Sequence, residues 1–227
     1  MGLQHPLAAI RRRGAQRGDA PAGFRFVAMG GSFTAGPGCE PEDRWADRLA
    51  GWLREVYSPL GYENLAIDGA SSEDVLDQLD PALELRPDLV TIICGANDVL
   101  MSVRPDIEGY AIRLTTIFTR FRETSPRGAI VTATSPEYWK FADLRPRTLD
   151  RLSRGIRRIN EATRRIASSH GVECIDAAGH PLLEQRENFA PDGFHPSVTG
   201  HARAAVVIAG MLRTRFGIQS KPPEEER

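Results

Sequence analysis

Two hydrophobic patterns alternate along this chain, and their alternation constrains its fold more than any other feature. Short apolar runs rich in β-branched residues lie at residues 24–29, 62–67, 88–94, 129–134 and 172–175. Longer segments with apolar residues at helical spacing lie at residues 45–57, 73–79, 107–122, 149–169 and 198–216. Because strands that alternate with helices usually pair in parallel, the pattern predicts an α/β fold around a parallel sheet.

The length of the chain indicates a single domain. A chain of 227 residues can bury well over half of its unfolded surface in one domain but is short for two. We expect this domain to span residues 23–217. Residues 1–22, which are rich in Arg, Gly and Ala, are predicted to be a flexible extension, and residues 218–227 a disordered tail.

Charge and composition exclude several classes of partner. The formal net charge of -1 gives no general attraction to nucleic acid or to an anionic membrane, so a small neutral partner is expected. The three cysteines, Cys39, Cys94 and Cys174, are widely spaced and lack the paired spacing of a disulfide framework or a zinc site. We therefore expect reduced thiols and no bound metal.

The N-terminal sequence favours a cytoplasmic enzyme. Only four apolar residues run together before Arg11, and the basic cluster at residues 11–13 follows them, the reverse of the order in a signal peptide. No run of eighteen apolar residues predicts a membrane span. Arginine outnumbers lysine 27 to 2, which suggests a GC-rich bacterial genome.

Three turns rich in small and polar residues follow the first three predicted strands, at residues 30–36, 68–71 and 95–98. The carboxyl ends of parallel strands meet at one edge of a sheet, where ligands bind in open α/β folds. Ser32 lies in the first turn, where a nucleophile would sit. Taken alone, it is equally typical of a tight turn or a helix cap. A phosphate-binding loop is disfavoured, because the turn lacks the Gly-Lys-Ser/Thr ending and the dinucleotide spacing.

A carboxylate and an imidazole lie three residues apart near the end of the chain. Asp192 is placed to hold Nδ1 of His195 and leave Nε2 free, as a general base requires, although Asp-Gly and His-Pro also mark an ordinary turn. His5, His180 and His201 lack such a close carboxylate, and His201 is the nearest rival. Together with Ser32, the pair supplies a Ser-His-Asp triad.

Acyl transfer also needs donors for the oxygen that becomes negative in the tetrahedral intermediate. Three candidates occur at the predicted sheet edge: the backbone N–H of Ser32, the N–H of Gly69 and the side-chain amide of Asn97. Asn97 is equally suited to cap a helix, and Gly69 to permit a left-handed turn. Their joint occurrence favours catalysis. Asp98 is assigned no chemical step.

These motifs, in this order, resemble those of the SGNH hydrolases, also called GDSL esterases and lipases, over residues 24–216. The resemblance implies a flavodoxin-like, three-layer α/β/α fold with strand order 2-1-3-4-5. It implies that Ser32 is the nucleophile, His195 the base and Asp192 its orienting acid. It also implies an oxyanion hole made by Ser32, Gly69 and Asn97, and no cofactor. The chain departs from the family at Gly31, where an aspartate usually helps fix the turn by hydrogen bonding.

The expected function is therefore hydrolysis of a carboxylic ester of a small molecule through an acyl-enzyme. An acyltransferase would use the same residues, and Gly31 suggests a third reading, a non-catalytic binding protein on this scaffold. Three aromatic residues follow the fourth predicted strand, Tyr138, Trp139 and Phe141. They are expected either to line a substrate pocket or to pack within their own loop.

Overall fold

The computed structural model describes residues 23–218 and residue 220. The predicted N-terminal extension, residues 1–22, lies outside the described residues, as does the predicted tail apart from residues 218 and 220. Ile218, the first residue of that predicted tail, is buried against the core. No helix in the described part of the chain is both long enough and apolar enough to cross a bilayer.

The sheet has five parallel strands in the order β2-β1-β3-β4-β5, which confirms the predicted fold class and strand order. The strands are β1 (Phe24–Gly30), β2 (Leu60–Asn64), β3 (Leu89–Ile93), β4 (Ala129–Ala133) and β5 (Glu173–Ile175). β1 lies between β2 and β3, so it is an interior strand, and its carboxyl end lies beside that of the middle strand, β3. Gly31 and then Ser32 follow the last residue of β1.

Helices cover both faces of the sheet. They are α1 (Ser32–Ala35), α2 (Trp45–Val56), α3 (Ser72–Asp77), α4 (Leu79–Glu84), α5 (Ala96–Leu100), α6 (Ile107–Thr124), α7 (Pro146–Ser169) and α8 (Val198–Phe216). The apolar sides of α2 and α8 pack on one face, and those of α3, α4, α6 and α7 on the other. Two hydrophobic cores result, one on each face.

Strand β1 contributes to both cores because successive side chains of a strand point to opposite faces. Phe26 and Ala28 join the core under α2 and α8, whereas Val27 and Met29 join the other. Burying a Val, Met or Phe side chain stabilises the fold by about 1.5–3 kcal/mol. Trp45 and its neighbour on the same helix face, Trp52, are buried in the first core.

Strand β2 ends earlier than its apolar pattern indicates. The prediction was residues 62–67, whereas β2 ends at Asn64. The side-chain oxygen of Asn64 accepts the N–H of Ala66, and this local turn interrupts the regular pairing. The chain still touches β1 at Ile67, whose N–H donates to the Gly30 carbonyl over 3.1 Å. It then leads into the turn that carries Gly69.

Candidate active site

The nucleophile turn begins at Gly30, where the chain leaves β1. Its φ of 150° is rare for residues with a side chain, and a Cβ there would lie 2.4 Å from the carbonyl oxygen of Ile93. Glycine is therefore required at this position. This tight turn makes Ser32 the first residue of α1, close to the carboxyl end of β1.

Asp192 and His195 form a hydrogen-bonded pair, as their spacing indicated. His195 Nδ1 lies 2.7 Å from Asp192 Oδ2, while Asp192 Oδ1 accepts the backbone N–H groups of Phe194 and His195 over 2.8 and 3.0 Å. Burial alone would raise the pKa of Asp192, but the hydrogen bonds from His195 and these backbone groups hold that pKa below its ordinary value. Asp192 thus stays ionised and orients the ring.

One apolar pocket connects the nucleophile turn with the histidine turn. It is lined by Ser32 and Asn97 and by Phe194 and Pro196, the two neighbours of His195 in sequence. Among the hydrogen bonds of residues 23–218, none joins the Ser32 hydroxyl to His195. Catalytic hydrogen bonds are often long in free enzymes and shorten only when substrate is bound.

Asn97 projects its amide toward the neighbouring turn. Nδ2 donates to the carbonyl oxygen of Ala70 over 3.0 Å, which leaves its second N–H for another acceptor. The N-cap of α5 is Gly95, with φ 108°, so the alternative that Asn97 only caps this helix is wrong. Within the described chain, the N–H groups of Ser32 and Gly69 have no hydrogen-bond partner.

Asp98 joins the Asn97 turn to the start of α3. Its carboxylate accepts the backbone N–H of Ser72 over 2.9 Å and the hydroxyl of the same residue. Arg113, on α6, donates to the Ser72 hydroxyl over 2.8 Å and lies 3.4 Å from Asp98. This network holds the second and third turns together, so the role of Asp98 is structural support.

Two buried carboxamides hold turns at the same edge of the sheet through hydrogen bonds, and no sequence pattern indicated either of them. Gln78, between α3 and α4, accepts the N–H of Gly30 over 2.9 Å and donates to the Gly30 carbonyl over 3.0 Å. Asn160 holds both backbone groups of Ser135, after β4, over 2.8 Å each. A polar residue within a helical pattern is usually exposed, so a single sequence does not distinguish these two from surface residues.

The inner wall of the pocket is formed by α8 and the sheet. Ala204, Val207 and Ile208 of α8 face this space together with Ile93 and Ile175 from the ends of β3 and β5. These side chains present no charge. The pocket therefore suits an apolar group that extends from Ser32 toward α8.

Trp139 and Phe141, two of the three aromatic residues after β4, are not among the residues that line this pocket, which corrects the expectation that they line it. Trp139 is 1% exposed in the core, and its indole N–H donates to the Ser153 hydroxyl over 3.3 Å. Phe141 packs against Phe189, with ring centroids 5.3 Å apart. The side chain of Tyr138 lies outside the described residues. The large apolar surface of Trp139 is thus buried beside α7 instead of facing a ligand.

The rival histidine, His201, is excluded from chemistry at the pocket by burial. It is fully buried, and its Nδ1 accepts the backbone N–H of Trp45 over 3.3 Å. Burial, and then the nearby Arg44 and Arg48, lower its pKa to about 4. The ring is therefore neutral at physiological pH and part of the packing between α2 and α8.

Comparison with known proteins gives one family. Residues 28–203 match the model of the GDSL-like lipase/acylhydrolase family, a range that includes every candidate site residue. No match was found among curated proteins.

Solved structures with the same fold include several esterases and lipases. A lipase/acylhydrolase from Enterococcus faecalis is 21% identical, with a TM-score of 0.67 over 87% of this chain and 99% of that one. The psychrotrophic esterase EstA from Pseudoalteromonas is 17% identical, with a TM-score of 0.66 over 85% and 98%. An extracellular lipase from Streptomyces rimosus is 19% identical, with a TM-score of 0.62 over 82% and 99%. At these identities the likeness concerns the fold.

Proposed function

The chain belongs to the GDSL-like lipase/acylhydrolase family and is a hydrolase of ester bonds, and we propose that it cleaves a carboxylic ester through an acyl-enzyme on Ser32. The observation that carries this proposal is the pair of Asp192 and His195, 2.7 Å apart, on a turn that contributes to the pocket of Ser32. A fixed imidazole beside a serine is the arrangement that activates a weak hydroxyl nucleophile.

The first half of the reaction forms the acyl-enzyme. Ser32 Oγ attacks the ester carbonyl carbon while His195 Nε2 takes the hydroxyl proton. The carbonyl π electrons move to oxygen, which becomes the oxyanion. When the tetrahedral intermediate collapses, the bond to the alcohol oxygen breaks and His195 returns its proton to that oxygen. Asp192, which holds Nδ1, stabilises the charged ring during this step.

The second half hydrolyses the acyl-enzyme. His195 takes a proton from water, the resulting oxygen attacks the acyl carbon, and collapse releases the carboxylic acid while the proton returns to Ser32. In both halves the N–H groups of Ser32 and Gly69 and the second amide N–H of Asn97 are the proposed donors to the oxyanion. The fixed amide of Asn97 supports this role, because preorganised donors need no rearrangement during the reaction. The mechanism requires no metal or organic cofactor.

Treatment with a fluorophosphonate probe, followed by peptide mass spectrometry, tests the nucleophile. We expect labelling on the peptide that carries Ser32, because the probe reports an activated serine. Product analysis with a model ester should give the free carboxylic acid, whereas a transferase would give a new ester or amide when an acceptor is present. If the folded protein stays unlabelled at Ser32, the assignment fails.

The apolar pocket supports an acyl group longer than acetyl. We expect Ala204→Leu to shorten the pocket and Val207→Ala to enlarge it, with opposite effects on chain-length preference. Each methylene contributes about 0.8 kcal/mol when buried, so excluding two of them lowers kcat/KM for a hexanoyl ester roughly 15-fold relative to acetyl. A series of p-nitrophenyl esters measures this ratio, and acetyl turnover by each variant is the internal control. Equal ratios in both variants would place the acyl group elsewhere.

We also propose that the protein is bacterial, that it is located in the cytoplasm and that it has no nucleic-acid partner. The preference for arginine supports the bacterial origin, and the net charge of -1 supports the absence of a nucleic-acid partner. The three cysteines are free thiols, which agrees with a reducing compartment.

A further inference from the structure

Gly31 leaves space that a neighbouring carbonyl group fills. Its backbone angles, φ -101° and ψ -153°, are open to any residue, so conformation does not require glycine here. A Cβ at this position, however, would lie 2.9 Å from the carbonyl oxygen of Ala70 and 3.4 Å from Nδ2 of Asn97. The Ala70 carbonyl is the acceptor that anchors Asn97. The hydrogen bond between Asn97 and Ala70 therefore occupies the side of the turn from which a side chain at position 31 would project.

Gln78 supports the same turn at Gly30, the residue before Gly31. Its carboxamide pairs with both the N–H and the carbonyl of Gly30, the residue two positions before Ser32. The side chain is only 5% exposed, and Gly30 is buried as well, so water cannot readily replace these bonds. A planar amide that accepts the N–H and donates to the carbonyl of one residue restricts the rotation of the two peptide groups on either side of that residue.

We propose that Gln78 is a positioning residue for the nucleophile, and that its carboxamide fixes the turn in place of a carboxylate at position 31. This inference rests on the proposed role of Ser32. Gln78 and Ala70 belong to one continuous segment, residues 69–78, which consists of the turn at residues 69–71, helix α3 and the residue that follows α3. That segment touches the nucleophile turn at two successive residues, Gly30 and Gly31. Ser32 and the proposed oxyanion donors are thereby held in one frame.

Loss of the Gln78 hydrogen bonds is expected to slow catalysis through a small displacement of Ser32. Removing the carboxamide leaves the Gly30 N–H without its partner and leaves the Gly30 carbonyl with the Ile67 N–H alone. The turn can then rotate, and Ser32 Oγ moves relative to His195 and Asn97. A misplacement of about 1 Å can reduce turnover about 10²-fold. The inner wall of the pocket, formed by α8 and the sheet, does not belong to this turn, so KM should change little.

The test compares kcat and KM of Gln78→Met with those of a matched control, Thr132→Val. Thr132 is 2% exposed and donates to the Ile92 carbonyl over 2.7 Å, so its variant also loses a buried hydrogen bond to the backbone, but inside the sheet. We expect Gln78→Met to lower kcat and the rate of fluorophosphonate labelling by about 10² with KM within threefold. Thr132→Val should keep both rates at a similar loss of stability. Gln78→Glu, which keeps the acceptor and loses the donor, gives the same comparison if the methionine variant does not fold.

Variants of Gly31 test the second half of the inference. Gly31→Ala adds only the Cβ, and Gly31→Asp adds the family's carboxylate as well. Both are expected to lower kcat, because each displaces the Ala70 carbonyl that anchors Asn97. A kcat for Gln78→Met within twofold of the unsubstituted enzyme, or a gain of activity in Gly31→Asp, would overturn the inference. Absence of ester turnover and Ser32 labelling in the unsubstituted enzyme would instead contradict the proposed function.

Discussion

Replacement of Ser32 by alanine is expected to lower ester turnover roughly 10⁶-fold while the fold is retained. Without Oγ no acyl-enzyme can form, and the residual rate comes from oxyanion stabilisation and substrate binding alone. The side chain lies at a pocket wall and is only partly buried, so its loss creates no core cavity. Steady-state turnover of p-nitrophenyl acetate gives the rate, and circular dichroism gives the fold.

A serine at the opposite edge of the sheet provides the control for that loss. Ser168 is exposed near the end of α7, which leads into the amino end of β5. Its alanine variant should keep full turnover and fluorophosphonate labelling. Should Ser32→Ala retain more than about a tenth of the activity, another nucleophile is responsible, since an intact triad serine contributes several powers of ten.

Replacement of His195 by alanine is expected to cost about as much as the loss of Ser32, roughly 10⁶-fold, because the two residues act as one unit. The double variant should therefore be no slower than either single variant. The side chain of His195 is 37% exposed, so its removal affects stability little. Turnover measured from acidic to alkaline pH checks the role of the imidazole as base.

The pH dependence identifies the titrating group. Because its hydrogen bonds hold the pKa of Asp192 below the ordinary value, the loss of activity toward acid is not assigned to that carboxylate. A general base gives the profile a limb on the acid side, and His195→Ala should abolish this limb. His170→Ala, at the far end of α7, is the matched control and should keep the full profile. An unchanged profile in His195→Ala would exclude it as the base.

The sheet could be predicted because its strands are buried on both faces. Such strands give continuous apolar runs, and those of β1, β3 and β4 mark the observed strands to within one or two residues. The prediction for β2 was displaced because residues 65–67 continue the apolar pattern and still bond to β1, while the Asn64 side chain already bonds to the backbone of Ala66. Side-chain turns of this kind compete with regular pairing and leave no periodic trace.

The candidate site was predicted where chemistry imposes short-range spacing and was missed where support comes from distant residues. Asp192 and His195 lie three residues apart, so their pairing follows from a single turn. Gln78 reaches Gly30 across 48 residues, and no local pattern encodes that contact. Trp139 was expected either to line a pocket or to pack within its own loop, and only the packing of α7 decides between such alternatives.

The two carboxamides at the sheet edge also bear on acid tolerance. Gln78 and Asn160 hold the turns after β1 and β4 with groups that carry no ionisable proton. A carboxyl group in either place could donate to the backbone carbonyl only when protonated, so the hydrogen bonds that hold the turn would change as that group titrated. With neutral amides, the shape of this edge is set independently of proton concentration, and acidification acts on the chemistry before it acts on the scaffold.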